Sequence, residues 1–178
     1  MHNCSYCYAR SLLDFRGLWN AENPRVADIQ KIRRKLEKVP PGTILRLGGM
    51  TDCFQPVERQ EQVTYQTIEQ LNEYGIGYLI VTKSHLAGEE RYPKLAHIQI
   101  TITCFDDKKA FGYEKASSPS KRLKALLNLQ EEGFDVTLRL SPLIEEYLDF
   151  DYLNRLPVNK VLVEFLRVNG WIKKWFPD

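Results

Sequence analysis

The sequence has 178 residues, of which 43% are hydrophobic and 27% charged, a composition that excludes an intrinsically disordered chain. Lysine and arginine number 25 against 23 aspartates and glutamates, and the net charge of +2 does not point to a nucleic-acid or membrane surface, although it is compatible with a local basic stripe. Because no apolar run reaches about 18 residues and the first ten residues are polar, we expect one cytoplasmic domain without membrane contact.

Helices and strands are predicted to alternate along the chain. A first helix over residues 24–39 places Ile29, Ile32 and Leu36 on one face. The next predicted elements are a strand at 43–47, a helix at 57–73, a strand at 77–81, a helix at 88–95 and a strand at 98–103. A leucine-rich helix starts near Ser118 and ends before Gly133. A strand ending near 140, a helix at 150–156 and a strand at 160–165 complete the pattern.

This alternation predicts an α/β protein with a mostly parallel sheet and outer helices. A barrel of eight strand–helix units takes about 250 residues. The length of this sequence therefore corresponds to roughly five such units and an additional N-terminal segment before the first strand. No strand is predicted before the first helix. We therefore expect a partial TIM barrel of the six-unit type that lacks its first strand.

Polar residues follow each predicted strand, at the edge where such folds place their sites. After the first strand come Thr51, Asp52 and Cys53, and after the second comes Lys83. The later strands end near Thr101, Thr103, Cys104, Ser141, Glu164, Arg167 and Asn169. Turn formation and capping explain such residues one by one, whereas the whole set predicts a site for an amino acid or a nucleoside.

Cys4 and Cys7 form the sharpest local motif, a Cys-x-x-Cys pair. The pair alone is compatible with half of a zinc site, a redox pair, part of an iron–sulfur loop or an inert structural pair. A thioredoxin-like site needs a preceding strand, which is not predicted. A zinc site needs two more ligands, for which Cys53 and Cys104 are the candidates.

The segment Cys4-Ser5-Tyr6-Cys7 resembles the cluster loop of the radical S-adenosylmethionine (SAM) superfamily, whose pattern is C-x-x-x-C-x-aromatic-C. Cys4 and Cys7 match its second and third cysteines, and the first would fall immediately before Met1. We expect a single radical SAM core domain over residues 1–178, truncated before its first strand and cysteine and also at its C-terminal end. Four further motifs resemble the spore photoproduct lyase-like branch: Thr51-Asp52-x-x-Gln55-Pro56-x-Glu58, Thr82-Lys83-Ser84, Ser-Pro-x-x-Arg-Leu from Ser118, and Leu140-Ser141-Pro142.

The resemblance implies a [4Fe-4S] cluster bound through Cys4 and Cys7, and SAM chelated to its open iron. It implies that Tyr6 holds the adenine, that Thr51 and Asp52 bind the methionine amino group, and that Lys83 pairs with the methionine carboxylate. A hydroxyl of Thr101 or Thr103 would contact the ribose or carboxylate, and Ser141 would lie beside the adenosine. Residues facing the substrate would be Glu164, Arg167 and Asn169. Cys53 and Cys104 follow strand ends and are interpreted as half-buried packing thiols, with a substrate-facing hydrogen donor or a third cluster ligand as the alternatives.

The implied activity is reductive cleavage of SAM to a 5′-deoxyadenosyl radical, which abstracts hydrogen from an unknown substrate. It also implies an electron donor such as flavodoxin or ferredoxin, and a lyase or modification reaction. The sequence identifies no catalytic residue. The basic run from Lys31 to Lys38 is interpreted as a solvated helix face, with nucleic-acid contact as its alternative. Two other hypotheses are a non-enzymatic zinc-binding fragment and an inactive fragment that binds SAM alone.

Overall fold

A five-stranded parallel sheet is the centre of the protein in the computed structural model, which describes residues 2–89 and 96–175. Its strands are β1 (Ile44–Leu47), β2 (Gly77–Thr82), β3 (Ala96–Thr101), β4 (Asp135–Leu143) and β5 (Val161–Phe165). Each strand pairs in parallel with the next strand along the chain, which confirms the predicted sheet. All five carboxyl ends therefore meet at one edge of the sheet.

Eight α-helices lie in the described residues and flank this sheet. They are α1 (Tyr8–Phe15), α2 (Ile29–Leu36), α3 (Glu58–Glu61), α4 (Val63–Glu73), α5 (Asp107–Phe111), α6 (Pro119–Glu131), α7 (Phe150–Arg155) and α8 (Gly170–Trp175). Short 3₁₀ helices cover His85–Glu89 and Glu145–Tyr147. None of the helices in the described residues has the length and apolar character needed to cross a membrane.

The core lies between the central strands and their helices. Ile80, Ile98, Ile100 and Leu138 are completely buried, as expected for strands covered on both faces. Outer positions of the edge strands are exposed, with Ile44 of β1 at 74%. The carboxyl edge of the sheet is thus carried on a rigid apolar base.

Two predicted helices differ from the observed ones. The helix predicted over 24–39 is restricted to α2, because Asp28 caps its first turn by accepting hydrogen bonds from the Gln30 and Lys31 amides. The helix predicted over 57–73 is divided into α3 and α4 by Gln62, which has a left-handed φ of 51°.

Two strands near the carboxyl edge differ in detail from the prediction, and one predicted helix falls mostly outside the described residues. β3 ends at Thr101, so Thr103 and Cys104 lie beyond the strand. The register between β4 and β5 shifts between Leu140 and Leu143, and Ser141 lies in this irregular stretch. Most of the helix predicted at 88–95 lies outside the described residues.

Candidate functional site

A cavity of about 600 Å³ opens at the carboxyl edge of the sheet. It collects most of the sequence-predicted site residues from the N-terminal loop and all five strand ends: Cys4, Tyr6, Cys7, Thr51, Asp52, Cys53, Lys83, Thr101, Ser141, Glu164 and Arg167. Apolar side chains such as Leu13, Trp19 and Met50 line another part of its wall. A polar group and an apolar group of one ligand could both be bound here.

The cysteine loop, residues 4–7, forms one side of this cavity. It is a tight turn in which the Cys7 amide donates to the Cys4 carbonyl oxygen at 3.1 Å, and α1 begins directly after it. Cys4 is buried, Cys7 is half-buried, and both thiols are free. Burial and the nearby Glu114 carboxylate raise the pKa of the Cys4 thiol to about 11.

Asp52 connects the loop after β1 to the end of β2. One carboxylate oxygen accepts hydrogen bonds from the Phe54 amide at 2.9 Å and the Thr82 hydroxyl at 2.7 Å. The other accepts from the Lys83 amide at 2.6 Å and lies 3.3 Å from Nδ1 of His2. Burial by itself raises the pKa of the Asp52 carboxyl group. The interactions with His2 and the hydrogen bonds from Lys83 and Thr82 outweigh this effect, so the pKa is lowered overall.

Lys83 presents a buried ammonium group to the cavity. Its Nζ donates to the Ser141 carbonyl oxygen at 2.8 Å and lies 5.4 Å from the centre of the Tyr6 ring. Among the described residues, no carboxylate lies within ion-pair distance of Nζ. Burial lowers the pKa of this lysine, and the more distant Glu114 opposes that shift. A carboxylate ligand would supply the missing counter-charge.

A second polar group around Glu164 of β5 lines the same cavity. Its Oε2 accepts from the Ser141 hydroxyl at 2.6 Å and pairs with the Arg139 guanidinium, while Oε1 lies 4.0 Å from Arg167. The Ser141 hydroxyl and these cations lower the pKa of Glu164 despite its partial burial. The sequence places Arg139 at the end of its strand but assigns it no role, and in the structure it also donates to Gln99 at 2.7 Å.

Three predicted site residues are not among the described residues that line the cavity: Thr103, Cys104 and Asn169. Thr103 is completely buried and donates to Glu114. Cys104 is buried, and its sulfur accepts from the Asp106 amide at 3.3 Å. Asn169 accepts from the Ile172 amide and caps α8. Their proposed roles toward SAM or substrate stay predictions.

Sequence reasoning missed a buried charged group behind the cysteine loop. Glu114 pairs with Arg122 of α6 at 2.5 Å and accepts hydrogen bonds from the hydroxyls of Tyr6 and Thr103. Arg122 shares a helix face with Leu126 and Leu129, and a charge on an apolar face is the signal that could have indicated a buried partner.

A glycine permits the close packing of the cavity floor. Gly48, directly after β1, has φ of +85°, and a Cβ placed there would lie 2.3 Å from the Val81 carbonyl oxygen of β2. Both the backbone conformation and the space exclude larger residues. The following Gly49 has open space around it and is accordingly unconstrained.

The described residues do not bring together a complete set of side-chain ligands for a metal ion. They contain no group of three or more histidine, cysteine, aspartate or glutamate residues able to hold one metal ion. All four cysteines are described, so the four-cysteine zinc site considered from the sequence is not assembled.

The chain was compared with known proteins. No family model matches it. It is 25% identical over 160 residues to an uncharacterized protein of Methanocaldococcus jannaschii, and the match covers 84% of this chain and 59% of that protein. The chain therefore spans about three fifths of the length of this relative.

Solved structures of spore photoproduct lyase share the fold. A tyrosine-to-phenylalanine variant of that lyase superposes with a TM-score of 0.71 at 16% identity. A cysteine-to-alanine variant with dinucleoside spore photoproduct superposes with a TM-score of 0.68 at 15% identity. Each match covers 99% of this chain and 58% of the lyase. At this identity the likeness establishes the α/β fold, which is that of a partial barrel.

Proposed function

We propose that this chain carries the core of a radical SAM enzyme, which binds a [4Fe-4S] cluster and SAM at the carboxyl edge of its sheet. The observation that carries the proposal is the placement of Cys4, Cys7 and Lys83 around one cavity. The fold shared with spore photoproduct lyase, itself a radical SAM enzyme, supports it. The motif resemblance found in the sequence supports it independently.

The donor chemistry on one side of the cavity fits an iron–sulfur cluster. Cys4 and Cys7 supply two soft thiolate ligands from a single tight turn. A cluster that leaves one iron open for SAM takes three protein thiolates, and the third is not among the described residues. The test below therefore includes a chain that is extended before Met1 by a segment ending in cysteine.

The other side of the cavity fits the polar groups of SAM. The Lys83 ammonium would bind the methionine carboxylate through a charge-assisted hydrogen bond, because this carboxylate supplies the missing counter-charge. Asp52 and Thr51 would lie beside the methionine amino group. Tyr6, Thr101 and Ser141 would contact the adenosine, since all three line the same cavity.

The bound cluster and SAM would together supply one-electron cleavage of the sulfonium bond and hydrogen abstraction from a substrate. The chain's own residues would hold the sulfonium next to the cluster and exclude water with the apolar wall around Leu13, Trp19 and Met50. Glu164 and Arg167, which line the same cavity, would face the substrate. A small redox protein such as flavodoxin or ferredoxin would deliver the electron.

Anaerobic reconstitution with iron and sulfide tests the cluster. The original and the extended chain are each prepared with Cys7→Ser, and with Cys53→Ser as the matched control, since Cys53 lines the same cavity outside the cysteine loop. We expect the extended chain and its C53S variant to retain four irons, and C7S to lose most of them. Zinc retention with no iron in either chain would contradict the proposal.

A further inference from the structure

A fully buried ion pair lies directly behind the cysteine loop. The side chains of Arg122 and Glu114 are 0% and 2% exposed, and Nη2 lies 2.5 Å from Oε2. The desolvation of two charges largely cancels their attraction, so such a pair adds little to stability by itself. Its position behind the cysteine loop indicates that the ion pair orients a neighbouring part of the chain.

The cysteine loop is attached to Glu114 of this ion pair and to the neighbouring residue Tyr113. The Tyr6 hydroxyl donates a hydrogen bond to Oε1 of Glu114, and the Ser5 amide donates to the Tyr113 carbonyl oxygen at 2.9 Å. The Tyr6 ring also packs against Tyr113, with centroids 5.9 Å apart. Residues 113 and 114 therefore fix both the backbone and the aromatic side chain of the loop.

The carboxylate of Glu114 is in turn fixed from the sheet and from α6. Thr103 donates to its Oε1 at 2.8 Å, and Arg122 holds Oε2. The second terminal nitrogen of Arg122 donates to the Thr101 carbonyl oxygen at 2.7 Å, at the end of β3. A rigid chain of contacts thus runs from the sheet through Arg122 and Glu114 to Tyr6.

We propose that Glu114 is a positioning residue for the cysteine loop: held by Arg122, it fixes Tyr6 and thereby the places of Cys4 and Cys7 on the cavity wall. This role rests on the proposed function in so far as the two thiols are cluster ligands. Tyr6 lies between them in sequence and is 7% exposed, so its displacement moves both. Its ring also lies 5.4 Å from Nζ of Lys83, which links the loop to the carboxylate-binding side of the cavity.

Two single-atom changes separate this role from general stabilisation. Tyr6→Phe removes the hydroxyl that joins the loop to Glu114 and keeps the ring. Tyr78→Phe is the matched control, because it removes the hydroxyl of another buried tyrosine, which donates to Asn72 at 3.0 Å and is not among the described residues that line the cavity. Neither change alters a charge, so differences between the variants report on position.

The readout is the rate at which Cys4 is alkylated by iodoacetamide in the cluster-free chain, followed by mass spectrometry. Cys4 is 5% exposed and should react slowly in the parent, and the half-buried Cys53, which lies outside the loop, is the internal reference. We expect Y6F to accelerate Cys4 alkylation about tenfold or more, the effect of losing one hydrogen bond to a charged group from the closed loop. Y78F should leave the rate close to that of the parent.

Unchanged protection of Cys4 in Y6F, or equal exposure in both variants, would overturn the proposal. Amide hydrogen exchange of residues 4–7 in the same variants provides a second measurement, with increased exchange expected in Y6F alone. Both readouts are made without iron or SAM. A failure of the positioning role is therefore distinguishable from a failure of the proposed function, which the iron content reports.

Discussion

The backbone amide of Lys83 donates a hydrogen bond to Oδ2 of Asp52 at 2.6 Å, so two residues that we propose to bind SAM are directly connected. The Thr82 hydroxyl and the Phe54 amide occupy the other oxygen of the same carboxylate. The loop after β1 is thereby held against the end of β2. Asp52 thus has a positioning role in the cavity, whereas its direct contact with the methionine amino group stays a prediction.

Asp52→Asn should destabilise the protein by about 2 kcal/mol at pH 7, because an amide nitrogen placed toward the Lys83 amide leaves buried donors unpaired. The pKa of Asp52 is lowered from its usual 3.8, so its stabilisation is complete above that value and is lost as pH falls through the lower folded-state pKa. The difference between parent and D52N should therefore shrink below about pH 4.

Urea unfolding of both proteins between pH 7 and the acid range measures this difference. Asp14→Asn, at an exposed aspartate of α1, is the matched control and should have no effect. A constant difference across the acid range would show that the ionised form of Asp52 is not what holds the loop.

Gly48→Ala should destabilise the chain by about 1–3 kcal/mol, because alanine is strained at φ +85°. The added methyl group would also collide with the Val81 carbonyl oxygen at the cavity floor. Gly49→Ala, one residue further on, meets no atom within 4 Å and should leave stability nearly unchanged. Thermal unfolding of the two variants compares them, and equal losses would refute the close approach of β1 to β2.

Glu58→Ala should cost about 1–2 kcal/mol, because it removes the cap of α4. Oε1 of Glu58 accepts hydrogen bonds from the Thr64 amide at 2.6 Å and the Tyr65 amide at 3.3 Å. Glu61→Ala, at an exposed glutamate of α3, should be nearly neutral. Circular dichroism during urea unfolding measures both, and a neutral E58A would mean that α4 does not depend on this cap.

The alternation of helices and strands was sufficient to predict the parallel sheet, because apolar runs such as residues 77–82 have the length and flanking signals of buried strands. Helix α5 was missed because five residues are too few to show a clear 3.6-residue period, and helix α1 because it begins after Cys7 without the side-chain cap that marks a helix start. The break at Gln62 was missed because its left-handed backbone carries no glycine signal.

The strand-end residues could be predicted because parallel strands bring their carboxyl ends together. Glu114 could not, because it lies in a connection without hydrophobic periodicity and its partner Tyr6 is 108 residues away. Contacts at such separation depend on the three-dimensional path of the chain. The arginine at position 122, on the apolar face of α6, indicated only that some acceptor had to be buried with it.

Lys83→Met should weaken SAM binding by about tenfold or more, since a hydrogen bond between a cation and a carboxylate is lost. The stability of the chain should be unchanged or higher, because burial of the ammonium disfavours its charged form. Isothermal titration calorimetry with SAM measures the affinity, and Lys38→Met, at an exposed lysine, is the control. Equal affinity of K83M and K38M would remove Lys83 from the site.

Electron paramagnetic resonance of the reduced, reconstituted extended chain, recorded with and without SAM, tests the radical SAM assignment most directly. The account predicts a cluster signal that changes when SAM is added, the same change only at about tenfold or more higher SAM concentration in K83M, and no cluster signal in C7S. A cluster signal that is indifferent to SAM in the parent, or one that survives in C7S, would contradict it.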